Sequence, residues 1–360
     1  MTSQPAVAPD AESGPAGSVG AAVVLGLLSL AWVTLLIVSV LSTLGSSTDG
    51  VLAVTETAYG LPAVIFAALI AGAGVAQAAR RLADRWLGAA AVPRLLVALG
   101  CGASTGVGAA AAVVFGDGRG GSAVEILGWA LFAGATVGGA LTGLHRRAGL
   151  LTAAAAAGAL AVAGTTTARE LAKGPLLELF GAADTAGSVL AAQSRLVWAT
   201  ALLAGALAGL VTFGYLHRAV RRSGRPLPWP GYLVAGAGPG LLLVIAEVVT
   251  RVGGAQLLDL ARSFSESDQA FQTMADGARI NSALIVLFTA AFTALICLGR
   301  TLPGQPDPEP AADAAPTADA EPAVGPEPAV GSEPAVGPEP AVGSEPAVGS
   351  EPAVGSAGTR

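Results

Sequence analysis

Glu247 and Arg251 stand four residues apart at the end of a long apolar stretch. Residues four apart on a helix share a face, so the two side chains can meet. Two chemistries follow. One is an ion pair at a membrane surface. The other is a polar or proton-handling site, because an ionisable group inside a membrane helix is costly and is kept for a reason. Upstream in the same stretch is Gly236-Ala237-Gly238-Pro239-Gly240. Proline removes a helix hydrogen bond and clashes with the preceding turn. The run predicts a kink or a short unwound stretch hinged at Gly238, Pro239 and Gly240. Broken helices line binding sites in many transporters; a bend that serves packing is the plainer reading.

Other reactive residues are sparse. Cys101 and Cys297 fall near ends assigned below to a reducing compartment, which argues against a disulfide. His145 and His217 sit beside arginines at span ends, an interfacial position without further ligands for a metal. A Ser-His or paired-Asp protease arrangement, a buried His pair for haem and a Walker loop for nucleotide are all missing from the sequence. Asp49, Glu56, Asp117, Asp184 and Asp268 fall in connecting segments, but nothing groups them. The sequence calls for no catalytic residues, cofactor or metal.

The elements that must position these residues follow from composition. Of 360 residues, 53% are hydrophobic and 12% charged, with a mean hydropathy of +0.65. A soluble domain carries roughly 25% charged residues, so this is neither an ordinary soluble protein nor a basic nucleic-acid binder. A span needs about 20 apolar helical residues. Eight runs qualify: Ala21–Leu41, Tyr59–Ala78, Leu95–Phe115, Ile126–Leu144, Leu150–Thr166, Leu196–Leu216, Tyr232–Val249 and Ile280–Leu298. The fifth is short and mostly alanine, so it must lean on its neighbours. The runs are continuous and too long for barrel strands, which leaves helices as the spanning structure. The predicted fold is an all-α polytopic membrane protein, a bundle of about eight transmembrane helices with a disordered C-terminal tail.

Orientation follows from arginine. The loops after spans two, four and six hold Arg80, Arg81, Arg85, Arg94, Arg146, Arg147, Arg218, Arg221, Arg222 and Arg225. The alternate loops hold fewer basic residues over a longer chain. The positive-inside bias makes the arginine-dense side cytoplasmic and puts both termini there. Trp and Tyr favour the headgroup level, which places Tyr59, Trp129 and Trp198 at one surface and Trp86, Tyr215, Trp229 and Tyr232 at the other. Trp32 falls mid-span.

Lipid is as apolar as leucine, so small residues and polar contacts must hold the helices together. Gly102/Gly106, Gly134/Gly138, Gly139/Gly143 and Gly205/Gly209 each repeat at a spacing of four, which puts flat patches on one helix face. The loops at 167–195 and 250–279 share a pattern. Each has an arginine, then a Leu-Leu-acid-Leu block at Leu176–Leu179 or Leu257–Leu260, then a returning arginine, Arg195 or Arg279. The pattern reads as a duplicated hairpin with an amphipathic segment lying in the interface.

Residues 1–20 read as a disordered cytoplasmic leader. They carry Asp10 and Glu12 and no basic residue, unlike a signal peptide. Residues 21–300 form the transmembrane domain, with 18 basic and 15 acidic residues in the first 300. Residues 301–360 hold one basic and 10 acidic residues. There Glu-Pro-Ala-Val-Gly recurs from Glu321 at a six-residue step through Glu351, a pattern that cannot close a core. One lysine, Lys173, amid abundant alanine and glycine reads as a high-GC bacterial genome. The expected partners are the lipid bilayer and other membrane or envelope proteins, not nucleic acid. The functional expectation is a non-catalytic scaffold or accessory component of a membrane complex, with a small permease or channel-like component as the alternative.

Overall fold

The computed structural model describes residues 16–46, 50–87, 91–117, 122–144, 146–224, 227–255 and 266–301. The described residues form α1 (Ala16–Ser46), α2 (Gly50–Leu87), α3 (Ala91–Asp117), α4 (Ser122–Gly143), α5 (Arg146–Leu171), α6 (Lys173–Leu179), α7 (Ala186–Ser223), α8 (Trp229–Gly253) and α9 (Glu266–Thr301). All but α6 contain a stretch long and apolar enough to cross a membrane. The protein is a polytopic membrane protein with an all-α bundle of eight such helices. The acidic repeat tail lies outside the described residues.

α2 is the hub. It packs against α1, α3, α4, α5 and α8. Its Leu61, Ile65, Leu69 and Ile70 are fully buried. Around it lie two groups of helices. One is α1–α4; in the other, α7 and α8 flank α5 and α9 covers both α7 and α8. Close approach at glycine makes the seams. A Cβ on Gly102 would lie 2.9 Å from the Gly139 Cα, and one on Gly205 would lie 2.8 Å from the Thr289 Cβ. Real Cβ atoms do not approach that closely, so these contacts require glycine. Away from α2, many large apolar side chains lie on the outer surface: Leu27, Leu28 and Leu35 on α1, and Phe288, Phe292 and Ile296 on α9. Lipid gains little from burying leucine, so the small residues that bring backbones together make the seams.

The fifth span behaves as its composition requires. Ala153, Ala154, Ala156 and Ala159 are buried, and α5 packs on α7 and α8 while also touching α2 and α4. A Thr212 hydroxyl of α7 donates to the Ala154 carbonyl of α5 at 3.2 Å. Other buried hydroxyls, such as those of Ser29 and Thr250, donate back to their own helices at 2.7 Å. No hydroxyl can be left bare in hydrocarbon.

The helices run past the apolar runs at both ends. α1 begins at Ala16, inside the segment read as a disordered leader, and α7 spans 38 residues where the sequence marked 21 apolar ones. α7 starts at a Thr185 side chain that accepts from the Ser188 N–H, and it ends at Gly224 with φ +62°. A left-handed residue at this point favours glycine. Of the two amphipathic blocks, Leu176–Leu179 lies in α6, which has no buried residue; Leu257–Leu260 lies outside the described residues.

Candidate polar site at the end of α8 and α9

Glu247 lies in the last two turns of α8, with its side chain 8% exposed. Arg251, one turn on, donates from Nε to Glu247 Oε1 at 3.2 Å, the pairing that the spacing implied. A second arginine comes from another helix. Arg279 of α9 donates from Nε to Glu247 Oε2 at 3.2 Å, and its guanidinium also pairs with Asp276. The arginines are 50% and 30% exposed, so the carboxylate is the enclosed partner and the cations look outward. Each carboxylate oxygen thus has its own donor. That is the condition under which a buried charge is tolerated.

The sequence pointed to Glu247 and Arg251 but not to Arg279. In the sequence Arg279 marks only the point where the chain re-enters the membrane. The missing information was that α8 and α9 are antiparallel neighbours, which brings a residue at the start of the last apolar run opposite one at the end of the run before it.

Gly238, Pro239 and Gly240 lie about two turns before Glu247 in a helix that is continuous from Trp229 to Gly253, so the short unwound stretch does not form. All three are buried. The segment is wedged between two helices. A Cβ on Gly158 of α5 would lie 2.7 Å from Pro239 Cγ. Gly238 abuts Ala155 of α5 and Gly240 abuts Leu287 of α9. These contacts do not bring the three residues together with the Glu247 carboxylate.

A second polar group occupies the opposite, arginine-rich end. Arg80 of α2 is 6% exposed and donates to the Thr142 carbonyl in the last turn of α4. Its guanidinium also presses against Gly149 in the first turn of α5. Arg94 and Gln77 are buried nearby in sequence, and the Gln77 Oε1 has no hydrogen-bond partner among the described residues. Two of the arginines counted for orientation are therefore interior residues. Tyr232 turns into the bundle as well. It is buried rather than at the surface, with its ring 5.9 Å from Phe213, which in turn stacks on His217 at 5.3 Å. Trp129, Trp198 and Trp229 are exposed, as aromatic belts require. Trp32 packs partly buried on the core. Trp86 and His145 lie outside the described side chains.

No family model or curated protein matches the sequence, and no solved structure matches the fold. The chemistry must therefore be read from the residues alone. Cys101 and Cys297 are free thiols. Among the described residues, no three His, Cys, Asp or Glu side chains converge as metal ligands. A groove of about 420 Å³ runs between α7 and α9 past Trp198, Leu202, Leu284 and Phe288; its lining includes Asn281 and Thr289 and no charged group. What the Glu247 cluster can do is hold α8 to α9 through a charge-assisted clamp, or exchange that clamp for another charged or hydrogen-bonding partner.

Proposed function

We propose that the protein is a non-catalytic scaffold or accessory component of a membrane complex. The observation that carries this reading is how the bundle's interior is filled. α2 places large aliphatic side chains at the centre, and glycine seams close the space between helices. Such an interior serves rigidity rather than passage. The large apolar side chains turned outward on α1, α3, α7 and α9 offer broad faces to lipid and to neighbouring membrane or envelope proteins. Solubilisation in a mild detergent is expected to recover the protein with defined partners at fixed stoichiometry. Recovery as a lone species in native membrane extracts would count against the scaffold.

A small permease or channel-like component is the second reading, and the enclosed Glu247 carboxylate favours it. If that reading held, Glu247→Gln would abolish solute-dependent flux in reconstituted vesicles. The scaffold reading expects no such flux from the wild-type protein.

The arginine-dense end is proposed to face the cytoplasm, with both ends of the chain on that side. Reporters fused before Gly20 and after Arg300 are expected to report the same compartment. Opposite compartments would overturn the assignment.

A further inference from the structure

The two helix groups pack by one plan. In α1–α4 the first helix packs on the second, the second on the fourth and the third on the fourth. The same pairs pack in the series α5, α7, α8, α9. The agreement extends to register. Gly102 and Gly106 of α3 rest on Ala135, Gly139 and Phe132 of α4; Gly236 and Gly240 of α8 rest on Ala290, Ala294 and Leu287 of α9. Each α8 glycine lies 134 residues after its α3 counterpart, and Leu287, Ala290 and Ala294 each lie 155 after Phe132, Ala135 and Gly139.

The first seam repeats as well. A Cβ on Gly26 of α1 would meet the Gly74 carbonyl and Ala78 of α2; a Cβ on Gly158 of α5 would meet the Ala208 carbonyl and Thr212 of α7. Ala208 and Thr212 are again 134 residues on. In the seam between second and fourth helices, Gly72 faces Ala135. In the corresponding seam Gly209 of α7 meets Ala290, three residues beyond the position 134 after Gly72, and Gly205 meets Val286 and Thr289. Two seams thus share one alignment, and the third joins the same helix pair with a shift of about one turn. The α3 and α8 sequences agree on it too, as Gly102-Ala103 with Gly106 against Gly236-Ala237 with Gly240. This unit is longer than the hairpin suggested by the loops, and it pairs α5 with α1 rather than with α8.

We infer that the chain is two copies of one four-helix unit, and that the Glu247–Arg279 pair is a polar latch added to the second copy rather than part of what folds it. Four spans per unit is an even number, so both copies lie in the same sense, as in transporters built from parallel repeats. The alignment puts Val113 at the place of Glu247 and Val124 at the place of Arg279. Both valines are buried in the core. The first copy therefore holds two buried valines at the places where the second holds an ion pair. An ion pair opens when another charged or hydrogen-bonding group competes for either partner.

Two measurements on the full-length chain test this. In a background carrying Cys101→Ser and Cys297→Ser, the pairs Val113→Cys/Val124→Cys and Glu247→Cys/Arg279→Cys should both be bridged by one bifunctional thiol reagent whose spacer spans the gap that an Arg–Glu pair fills. Cross-linking of only one pair would overturn the duplication. For the latch, Arg279→Val alone should lower the detergent melting temperature by several degrees, since it leaves the enclosed carboxylate short of a partner. The combination Glu247→Val/Asp276→Asn/Arg279→Val should return it to the wild-type value or above, because apolar residues can replace a buried ion pair without loss. A combined variant as unstable as the single one would show the pair to be part of the fold.

Discussion

Gly138→Leu is expected to prevent recovery of a folded bundle. A Cβ at Gly138 would run into the backbone carbonyl of Leu69 on α2, and on the facing side one at Gly72 would run into the carbonyl of Ala135. Overpacking a core usually costs about 1–3 kcal/mol when side chains can shift. Here the obstacle is main chain on the hub helix, so relief requires moving α2 away from α4, and α2 also touches α1, α3, α5 and α8. Lipid provides no compensating burial. The expected readout is loss of the monodisperse species after detergent extraction, or a collapse of the melting transition. Gly100 and Gly108 give the control, since nothing lies within 4 Å of a Cβ at either position. Gly100→Leu and Gly108→Leu should leave melting unchanged or raise it slightly, leucine being the better helix former by roughly 1 kcal/mol. A Gly138→Leu protein that melts like the wild type would refute the α2–α4 seam.

All eight spans were legible because each is written locally, as a run of apolar residues long enough to cross lipid. Their lengths were less legible. α7 continues well beyond Leu196–Leu216, because polar residues such as Ser194 and Arg195 are as helical as the apolar ones once outside hydrocarbon. The glycine pairs announced close packing, but spacing within one helix cannot name the helix it meets. Gly102 and Gly106 look alike whether they face α4 or lipid. The same limit hid Arg279, whose role as a second donor to Glu247 depends on which helices are neighbours. It also left open which way Tyr232 faces. A tyrosine at a span end reads as a headgroup anchor, yet the turn of the helix puts this one inward against Phe213. The four-helix duplication was invisible for a related reason. Outside the glycines of α3 and α8 the two copies share few residues, and only the register of their contacts preserves the correspondence.

Arg80 gives the second large effect, and it separates two roles that the sequence could not. An arginine just beyond an apolar run counts toward orientation whether it lies in water or in the bundle. Arg80 is enclosed, donates to the Thr142 carbonyl and rests on Gly149, so it joins the ends of α2, α4 and α5. The last carbonyls of a helix have no partner within it, and here a guanidinium supplies one. A hydrogen bond to a charged group contributes about 1.5–3 kcal/mol. Truncation also leaves a void, so Arg80→Ala should cost roughly 2–4 kcal/mol in detergent. Arg81→Ala removes the same charge from the same loop, but Arg81 is only partly buried. It should cost about 0.5 kcal/mol or less. If Arg80 acted only through its charge, the two variants would shift reporter orientation alike and leave melting alone. If it acts as a strut, Arg80→Ala lowers melting with orientation retained, while Arg80→Lys recovers part of the loss, because an ammonium keeps the charge but not the planar reach across two helices. Equal melting temperatures for Arg80→Ala and Arg81→Ala would remove the strut and return Arg80 to the count of surface arginines.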